Sequence, residues 1–313
     1  MKRFLTSLLV VSAIFTLSSC SDNTTTESTE TTEVTEATEG TETTESTETT
    51  EGTEATEGTE TTEDATTTEE TTDPLPADPE ASAALLAQYD FIDAPFTQLD
   101  PLEEGETYAV LETNMGDITV KFLPEAAPLA VENFLTLAEE GYYDGLTFHR
   151  VINDFVIQGG DPLGTGYGGE SIYEGGVFEN EISKSARHFN GALAMANSGE
   201  DTNGSQFYIV EAGVYEDAEF VSYLESLKED LSQEIYNDGA GGVLYAEDFY
   251  NEEIIDGYIE KGGYMPLDFG YTVFGQVVDG MDIVSAIAEV AVDENDAPVE
   301  SVIINKIAVY NNN

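Results

Sequence analysis

The stretch FHRVINDFVIQGGD, residues 148–161, sets the basic side chain of Arg150 among the large apolar side chains of Phe148, Val151 and Phe155. Basic residues are scarce in this 313-residue chain, which has nine Lys plus Arg against sixty-four Asp plus Glu. A guanidinium in apolar company is either half of an ion pair with one of these carboxylates or a donor held at a pocket. The two interpretations are compatible, because a carboxylate can also orient a guanidinium.

The negative charge is concentrated near the N-terminus. The formal net charge is -55 at pH 7, and residues 21–73 consist almost wholly of Thr, Glu, Ser, Gly and Ala, with repeated phrases such as TEGTETTE. Such a segment buries too little apolar surface to offset its conformational entropy, so we expect residues 21–80 to form a disordered, extended tether. Lys and Arg do not cluster beyond the first three residues, which argues against nucleic-acid binding.

The first twenty residues predict an export signal. Lys2 and Arg3 precede the apolar stretch FLTSLLVVSAIFTL, which is too short for a comfortable membrane span. The following LSSC resembles the lipobox of bacterial lipoproteins, which implies cleavage before Cys20 and a lipid on that residue. We therefore expect a protein anchored on the extracytoplasmic face of the cell membrane, in a bacterium of Gram-positive type. The alternatives are an ordinary secretory signal with a chance cysteine and an uncleaved membrane anchor.

The patterning of residues 107–310 predicts a mainly β domain, preceded by an arm at 81–106. YAVLETNMGDITVKF reads as a β-hairpin, and PEAAPLAVENFLTLAEEGYY reads as a helix. Further strand-like runs follow, and YTVFGQVV and VIINKIAVY flank a second helical pattern, GMDIVSAIAEV. Many short strands with few helices favour a closed or nearly closed antiparallel β-barrel capped by helices, and the closed form is the prediction adopted.

The pattern changes between residues 213 and 263. Apolar side chains recur at helical spacing before NDGAGG, at Phe220, Leu224, Leu227, Leu231 and Ile235. After it they recur less regularly, at Phe249, Ile254, Ile255, Tyr258 and Ile259. We interpret this segment as a helical hairpin inserted into the β domain.

Four blocks carry a resemblance to a known family. FHRVINDFVIQGGD, GTGYGGESIYEGGVFENE, GALAMANSGEDTNGSQFYI and LDFGYTVFGQVVDGMDIV resemble, in order, the signature blocks of cyclophilin-type peptidyl-prolyl cis-trans isomerases. The resemblance spans about Thr107 to Tyr310, apart from the insertion. It implies a cyclophilin-like barrel and catalysis of X-Pro isomerisation.

The chemistry of that reaction agrees with the residues present. Its barrier, about 18–20 kcal/mol for a peptide bond, comes from amide resonance. A catalyst needs an apolar pocket for the proline ring and a fixed donor to the prolyl nitrogen, which gains a lone pair as the amide twists. Arg150 suits this role because it stays charged and presents several donors in one plane. No metal or cofactor is expected.

The resemblance also implies roles for individual residues. Arg150 and Gln158 would be catalytic. The proline pocket would consist of Phe155, Val156, Tyr208 and Leu267, and Tyr271 would be a further substrate-binding residue. The peptide backbone would be held, and Arg150 oriented, by Gln158, Ala196, Asn197 and Gln206. Core packing is the alternative for Phe155 and Leu267, and loop stabilisation is the alternative for Asn197 and Gln206.

Some positions depart from the family or lie outside its chemistry. Tyr208 stands where the family usually has Phe, and Tyr271 where many eukaryotic members have His. We expect His149 to be structural and His188 to be an ordinary loop or surface residue. GTGYGG, residues 164–169, formally matches G-x-G-x-x-G, but no helical pattern follows it, so it is interpreted as a surface loop rather than a dinucleotide site.

These expectations define the function and partners. The leading hypothesis is an isomerase acting on unfolded or proline-containing exported proteins, as a monomer. One alternative is a proline-peptide-binding holdase or surface adhesion module with little turnover, since the insertion falls just before Leu267 at the expected pocket rim. The insertion could instead be a decoration with no role in binding. A third hypothesis is a domain that is only the cargo of the anchor and has no activity, but the intact Arg150, Gln158 and Gln206 argue against it.

Overall fold

The computed structural model describes residues 77–313. The helices in that range are α1 (Pro79–Leu86), α2 (Pro128–Glu139), α3 (Ala218–Glu229), α4 (Glu252–Lys261) and α5 (Met281–Ala288). The strands are β1 (Phe91–Ile92), β2 (Thr107–Thr113), β3 (Gly116–Phe122), β4 (Arg150–Ile152), β5 (Val156–Gly159), β6 (Ile182–Ser183), β7 (Ala192–Met195), β8 (Phe207–Val210), β9 (Glu234–Asn237), β10 (Val243–Tyr245), β11 (Val273–Asp279) and β12 (Ile304–Asn311).

Eight of the strands form one curled antiparallel sheet in the order β12-β2-β3-β11-β7-β8-β5-β4. The prediction of a mainly β domain is confirmed, but the prediction of a closed barrel is wrong. The edge strand β4 has only three residues, and the N–H of its Val151 donates to Asp296 O at 2.8 Å instead of to β12. The gap is bridged by the segment before β4, where Gly145 N and Phe148 N donate to Ile304 O and Val302 O.

The concave side of the sheet holds the main core. Alternate residues of β2 and β3 point inward and are fully buried, as the period of two requires: Ala109, Leu111, Ile118 and Val120. Helix α2 covers this core with Phe134, whose ring centroid lies 5.3 Å from that of Phe207 on β8. Burying such a side chain stabilises the fold by about 1.5–3 kcal/mol.

Glu181 fixes the start of α2. Its carboxylate accepts hydrogen bonds from Leu129 N at 2.9 Å and Ala130 N at 2.8 Å. Pro128, at the first position of the helix, has no N–H to satisfy. A carboxylate at this end also interacts favourably with the helix dipole. The first turn of α2 is therefore fixed by Glu181, a residue that lies outside the helix.

The N-terminal arm packs on the β domain. Strand β1 pairs in parallel with β6. The fully buried Gln98 donates to Arg187 O at 2.8 Å and Gln276 Oε1 at 2.9 Å, and accepts from Arg187 N at 2.8 Å. The buried Lys121 Nζ donates to the arm carbonyls of Thr97 and Asp100. These contacts make the arm part of the folded unit.

The inserted segment is not confirmed as a simple helical hairpin. Helices α3 and α4 contact each other, but the antiparallel strands β9 and β10 lie between them. Ile235 lies on β9 rather than on a helix. The NDGAGG sequence explains why strands form here instead of a continuous helix. Asp238 Oδ1 accepts hydrogen bonds from Ala240 N and Gly242 N, which stabilises a tight turn between β9 and β10.

The insertion has a small core of its own against the barrel. Leu224, Leu227, Ile255 and Tyr258 are buried there together with Phe189. Asp217 caps α3, and Asn251 caps α4 through Ile254 N at 2.8 Å.

Several predictions fall outside the described residues: the signal peptide, the lipidated Cys20 and the tether up to residue 76. The last residues assigned to the tether, Pro79 and Glu80, begin α1. Across residues 77–313, no helix is both long and apolar enough to cross a membrane.

Replacing Gln98 with Ala should loosen the arm. The change leaves the buried Arg187 N–H and C=O without partners, so we expect the free energy of unfolding to fall by about 2–4 kcal/mol. Urea denaturation measures this. Gln88→Ala, at an exposed position after α1, is the control and should change stability by less than about 0.5 kcal/mol. Equal stabilities of the two variants would show that Gln98 does not fasten the arm.

Candidate active site

Strand register brings the predicted catalytic residues together. Arg150 on β4 is paired with Gln158 on β5, and Gln158 is paired with Tyr208 on β8. Directly opposed residues of neighbouring strands share one face of a sheet. Val156, two residues before Gln158, lies on that same face. The alternation of side chains in FHRVINDFVIQGG therefore places the polar Arg150 and Gln158 on the same face of the sheet as the apolar Val156.

One side-chain amide contacts the Arg150 guanidinium, and a second amide orients the first. Arg150 Nη1 donates to Gln158 Oε1 at 3.4 Å, and Gln158 Nε2 donates to Gln206 Oε1 at 3.0 Å. Gln206 Nε2 in turn donates to Gly166 O at 3.0 Å and Gly168 O at 2.7 Å. Because the last acceptors are backbone carbonyls, each amide in this relay has a fixed orientation. Gln158 consequently presents an acceptor to the guanidinium.

Asp161 shapes the loop that supplies those carbonyls. Its carboxylate accepts from the backbone N–H of Leu163, Thr165 and Gly166 at 2.7–2.8 Å. Burial raises the pKa of Asp161, but these hydrogen bonds outweigh it and bring the pKa below its ordinary value. Gly168 is required, because a Cβ there would lie 2.3 Å from Asp161 Oδ1.

The charge of Arg150 is not neutralised by a close partner. Arg150 Nε lies 4.0 Å from Asp296 Oδ2, and the two side chains are 39% and 47% exposed. An exposed pair at that distance contributes little. The Cζ atom lies 5.9 Å from the centre of the Phe155 ring. Donors of the guanidinium thus stay available beside an aromatic wall.

The predicted pocket residues form one apolar group. Val156 and Tyr208 are buried in a second hydrophobic cluster on the outer side of the sheet, and the partly exposed side chains of Phe155, Ala196, Leu267 and Tyr271 pack against it. The rings of Tyr208 and Tyr271 meet edge to face at 5.9 Å. Partly exposed apolar side chains beside the available donors of Arg150 suit a ligand that has an apolar ring and an acceptor atom next to it.

The predicted backbone-binding residues differ in their surroundings. Ala196 N donates to Gln206 O at 3.0 Å, which ties the two positions together. Asn197 instead lies within a neighbouring loop network. Its Nδ2 is 3.3 Å from Asn180 Oδ1 and 3.5 Å from Asn203 Oδ1, and its Oδ1 accepts from Gly199 N. The contacts of Asn197 are those of the loop-stabilising alternative.

His188 lies in the loop between β6 and β7, which fits the expectation of a loop residue, but it is not at the surface. His188 is fully buried, its Nδ1 lies 3.0 Å from Asp268 Oδ1, and its Nε2 lies 2.9 Å from the Tyr208 hydroxyl. The extra hydroxyl at position 208 thus points into the protein and meets a polar partner. His149 lies beside Arg150 in sequence, and burial lowers its pKa.

Sequence reasoning missed four residues at this site. Asp161 is the last residue of FHRVINDFVIQGGD, but its hydrogen bonds to the following loop depend on backbone geometry that a sequence pattern does not show. Asp268 and Asp296 are two among sixty-four acidic residues, so their types carried no signal. Tyr264, whose ring lies 4.7 Å from that of Phe155, follows the insertion and showed no pattern.

The GTGYGG loop is not followed by a helix, as expected from the sequence, and it serves the site through its carbonyls. Within residues 77–313, His, Cys, Asp and Glu side chains form no group of three or more suited to a metal ion.

Comparison with known proteins gives consistent matches. The family model for cyclophilin type peptidyl-prolyl cis-trans isomerase/CLD matches residues 108–309. A Staphylococcus aureus protein provisionally named peptidyl-prolyl cis-trans isomerase is 46% identical over 208 residues, which are 66% of this chain and 94% of that protein. A Staphylococcus epidermidis protein with the same provisional name is 43% identical over 208 residues, with the same coverage of both chains.

Among solved structures, a Cryptosporidium parvum cyclophilin type peptidyl-prolyl cis-trans isomerase is similar at 28% sequence identity and a TM-score of 0.49. The match covers 67% of this chain and 99% of that one.

Asp161→Asn should weaken the loop in a pH-dependent way. An amide offers one acceptor oxygen where the carboxylate offers two, so the free energy of unfolding should fall by about 1–3 kcal/mol at pH 7. The pKa of Asp161 is lower in the folded protein than in the unfolded chain. Its stabilisation is therefore present above the unfolded value of about 3.9 and is lost as the pH falls through the folded one.

The difference between wild type and Asp161→Asn in urea denaturation should accordingly be smaller at pH 3 than at pH 7. Asp154→Asn, at an exposed position, is the matched control. A difference that stays the same at both pH values would contradict the role given to the carboxylate.

Proposed function

Because the chain belongs to the cyclophilin-type peptidyl-prolyl cis-trans isomerases, we propose that Arg150 is the group that lowers the barrier of its reaction. The reaction is rotation about the bond between a residue and the proline that follows it. No covalent bond is broken, so no nucleophile is called for. The barrier is lost amide resonance, and the catalyst has to stabilise the twisted amide more than the planar one.

The prolyl nitrogen is the atom that changes most. In the planar amide its lone pair is delocalised into the carbonyl, and in the twisted amide the lone pair is localised on nitrogen. A guanidinium N–H beside that nitrogen gains a hydrogen bond only in the twisted state, which is transition-state stabilisation by a preorganised donor. Every 1.4 kcal/mol or so gained this way accelerates the reaction tenfold.

The amide relay is the observation that carries this proposal. Gln158 accepts from Arg150 and is itself fixed by Gln206, whose own donors end on the Gly166 and Gly168 carbonyls. A flexible, half-exposed arginine would have to be ordered anew for each substrate. The relay orders it in advance, so less of the interaction is lost to side-chain entropy.

The apolar group beside Arg150 would hold the proline ring. Phe155 and Leu267 supply partly exposed apolar surface, and the buried ring of Tyr208 packs in the same cluster. Burial raises the pKa of Tyr208 well above the usual value, so its hydroxyl stays neutral. The peptide backbone on either side of the proline would lie against Gln158, Gln206 and the Ala196 segment. Since backbone groups are common to all substrates, selectivity for neighbouring side chains should be broad.

We further propose where the enzyme acts. The lipobox-like LSSC motif and the Thr- and Glu-rich segment after it support a domain held outside the membrane by a lipid on Cys20. Its substrates would then be exported proteins that have not finished folding, in which X-Pro isomerisation is a slow step.

Arg150→Ala tests the catalytic role. We expect kcat/KM on an X-Pro tetrapeptide to fall by at least about tenfold, because one preorganised donor to the transition state is removed. Arg150→Lys should recover only part of the activity, since an ammonium lacks the planar array of donors. Lys306→Ala, which removes an exposed cation on β12, should keep wild-type activity. Full activity of Arg150→Ala in a folded protein would place the chemistry elsewhere in the pocket.

Cys20→Ser tests the anchor. In a Gram-positive host producing the full chain, we expect the unaltered protein to incorporate labelled fatty acid and to sediment with membranes. The serine variant should take up no label and leave the membrane fraction, because a hydroxyl does not replace the acylated sulfur. Equal membrane recovery of both, with no label in either, would rule out lipidation at Cys20.

A further inference from the structure

The inserted segment reaches the pocket through a buried carboxylate. Asp268 directly follows the pocket residue Leu267, and its side chain is 1% exposed. The Tyr258 hydroxyl, on α4 of the insertion, lies 2.8 Å from both carboxylate oxygens of Asp268. An ionised carboxylate has no proton to give, so Tyr258 is the donor. Burial raises the pKa of Tyr258 well above its usual value, which keeps that proton in place.

The same carboxylate orients His188. Asp268 Oδ1 accepts from the backbone N of His188 and lies 3.0 Å from its Nδ1. In the neutral ring the proton is then on Nδ1, and Nε2 is free to accept. The Tyr208 hydroxyl is the group at Nε2, at 2.9 Å. A chain of hydrogen bonds therefore runs from Tyr258 through Asp268 and His188 to Tyr208.

Tyr208 needs this chain because of where it lies. Its ring is buried in the apolar cluster of the pocket and stacks on His188, with the centroids 6.0 Å apart and the planes 15° from parallel. A hydroxyl in such a cluster is costly unless it has a partner. The His188 nitrogen supplies one and fixes the ring face that lines the pocket.

A second contact ties the insertion to the same place. Arg187 is fully buried, and its Nη1 lies 3.6 Å from Asp268 Oδ2. Its guanidinium donates to Phe249 O in the insertion and stacks on Tyr250 at 5.2 Å and on Phe269 at 4.3 Å. The negative charge of Asp268 is thus held between two groups of the barrel, Arg187 and His188, and one hydroxyl of the insertion.

We propose that Tyr258 is a positioning residue for the proline pocket, acting through Asp268 and His188 on the orientation of Tyr208. The insertion then has a role in substrate binding without touching the substrate. This inference rests on the proposed placing of the proline ring against Tyr208. It predicts an effect on KM rather than on kcat, because Arg150 is held by a separate relay.

Tyr258→Phe removes the hydroxyl and keeps the ring, which packs on Phe189 at 4.6 Å. We expect KM for an X-Pro tetrapeptide to rise about three- to tenfold while kcat stays within about twofold. Tyr223→Phe is the matched control. This tyrosine is half-buried on α3 of the insertion, and its hydroxyl makes no hydrogen bond to residues 77–313. The control should keep the wild-type KM.

A double-mutant cycle separates positioning from general destabilisation. In a Tyr208→Phe background the chain of hydrogen bonds has lost its far end, so Tyr258→Phe should change KM by less than about twofold. An effect of the same size in both backgrounds would overturn the proposal, as would an unchanged KM in Tyr258→Phe.

Arg150→Ala, assayed alongside, tells two failures apart. If it is inactive while Tyr258→Phe matches wild type, only the positioning role fails. If it is fully active, the site assignment itself fails.

A measurement on the native contacts guards against a variant that does not fold. 3-Fluorotyrosine placed at position 258 keeps the hydroxyl and reports on it by 19F NMR. Saturation with the tetrapeptide should shift this resonance, whereas the same label at position 223 should not move. If the 19F resonance at position 258 does not shift when the peptide binds, the proposed link between Tyr258 and the proline pocket is contradicted.

Discussion

The proposed role of Arg150 depends on holding a half-exposed guanidinium in one orientation without neutralising it. A close carboxylate would fix Arg150 but would also take up its donors. The protein uses neutral amides instead, and Gln158 and Gln206 pass the orientation on to the backbone carbonyls of Gly166 and Gly168. The register of β4, β5 and β8 places Arg150, Gln158 and Tyr208 on one face, so the sheet sets the geometry of the first contact in the relay.

The parts of this arrangement that follow a local period could be predicted from the sequence. Alternation places Arg150, Val156 and Gln158 on one face, and the order of the signature blocks identifies the family. His188 could not be placed this way, because its neighbours show no periodicity and its partner Asp268 is 80 residues away along the chain. The failure of the sheet to close into a barrel depends on its three-residue edge strand, β4. A local sequence pattern does not show whether such a short strand pairs with β12.

The insertion shows a second limit of pattern reasoning. Its apolar residues keep a helical spacing through Ile235, but Asp238 and the glycines after it favour a turn between two short strands. The helical spacing did locate α4 and the buried face of Tyr258. The spacing could not show what Tyr258 touches, because a hydroxyl at a helix–barrel contact is a tertiary feature. Its buried partner, Asp268, joins the insertion to the pocket.

The most direct test of the proposed role of Arg150 is a crystal structure of residues 77–313 with a bound X-Pro peptide. We expect the proline ring to lie against Phe155, Tyr208 and Leu267. A guanidinium nitrogen of Arg150 should lie within hydrogen-bond reach, about 3 Å, of the prolyl nitrogen. The Gln158–Gln206 contacts should be retained. A proline ring seated elsewhere, or an Arg150 side chain turned to solvent while the ring fills the pocket, would contradict it.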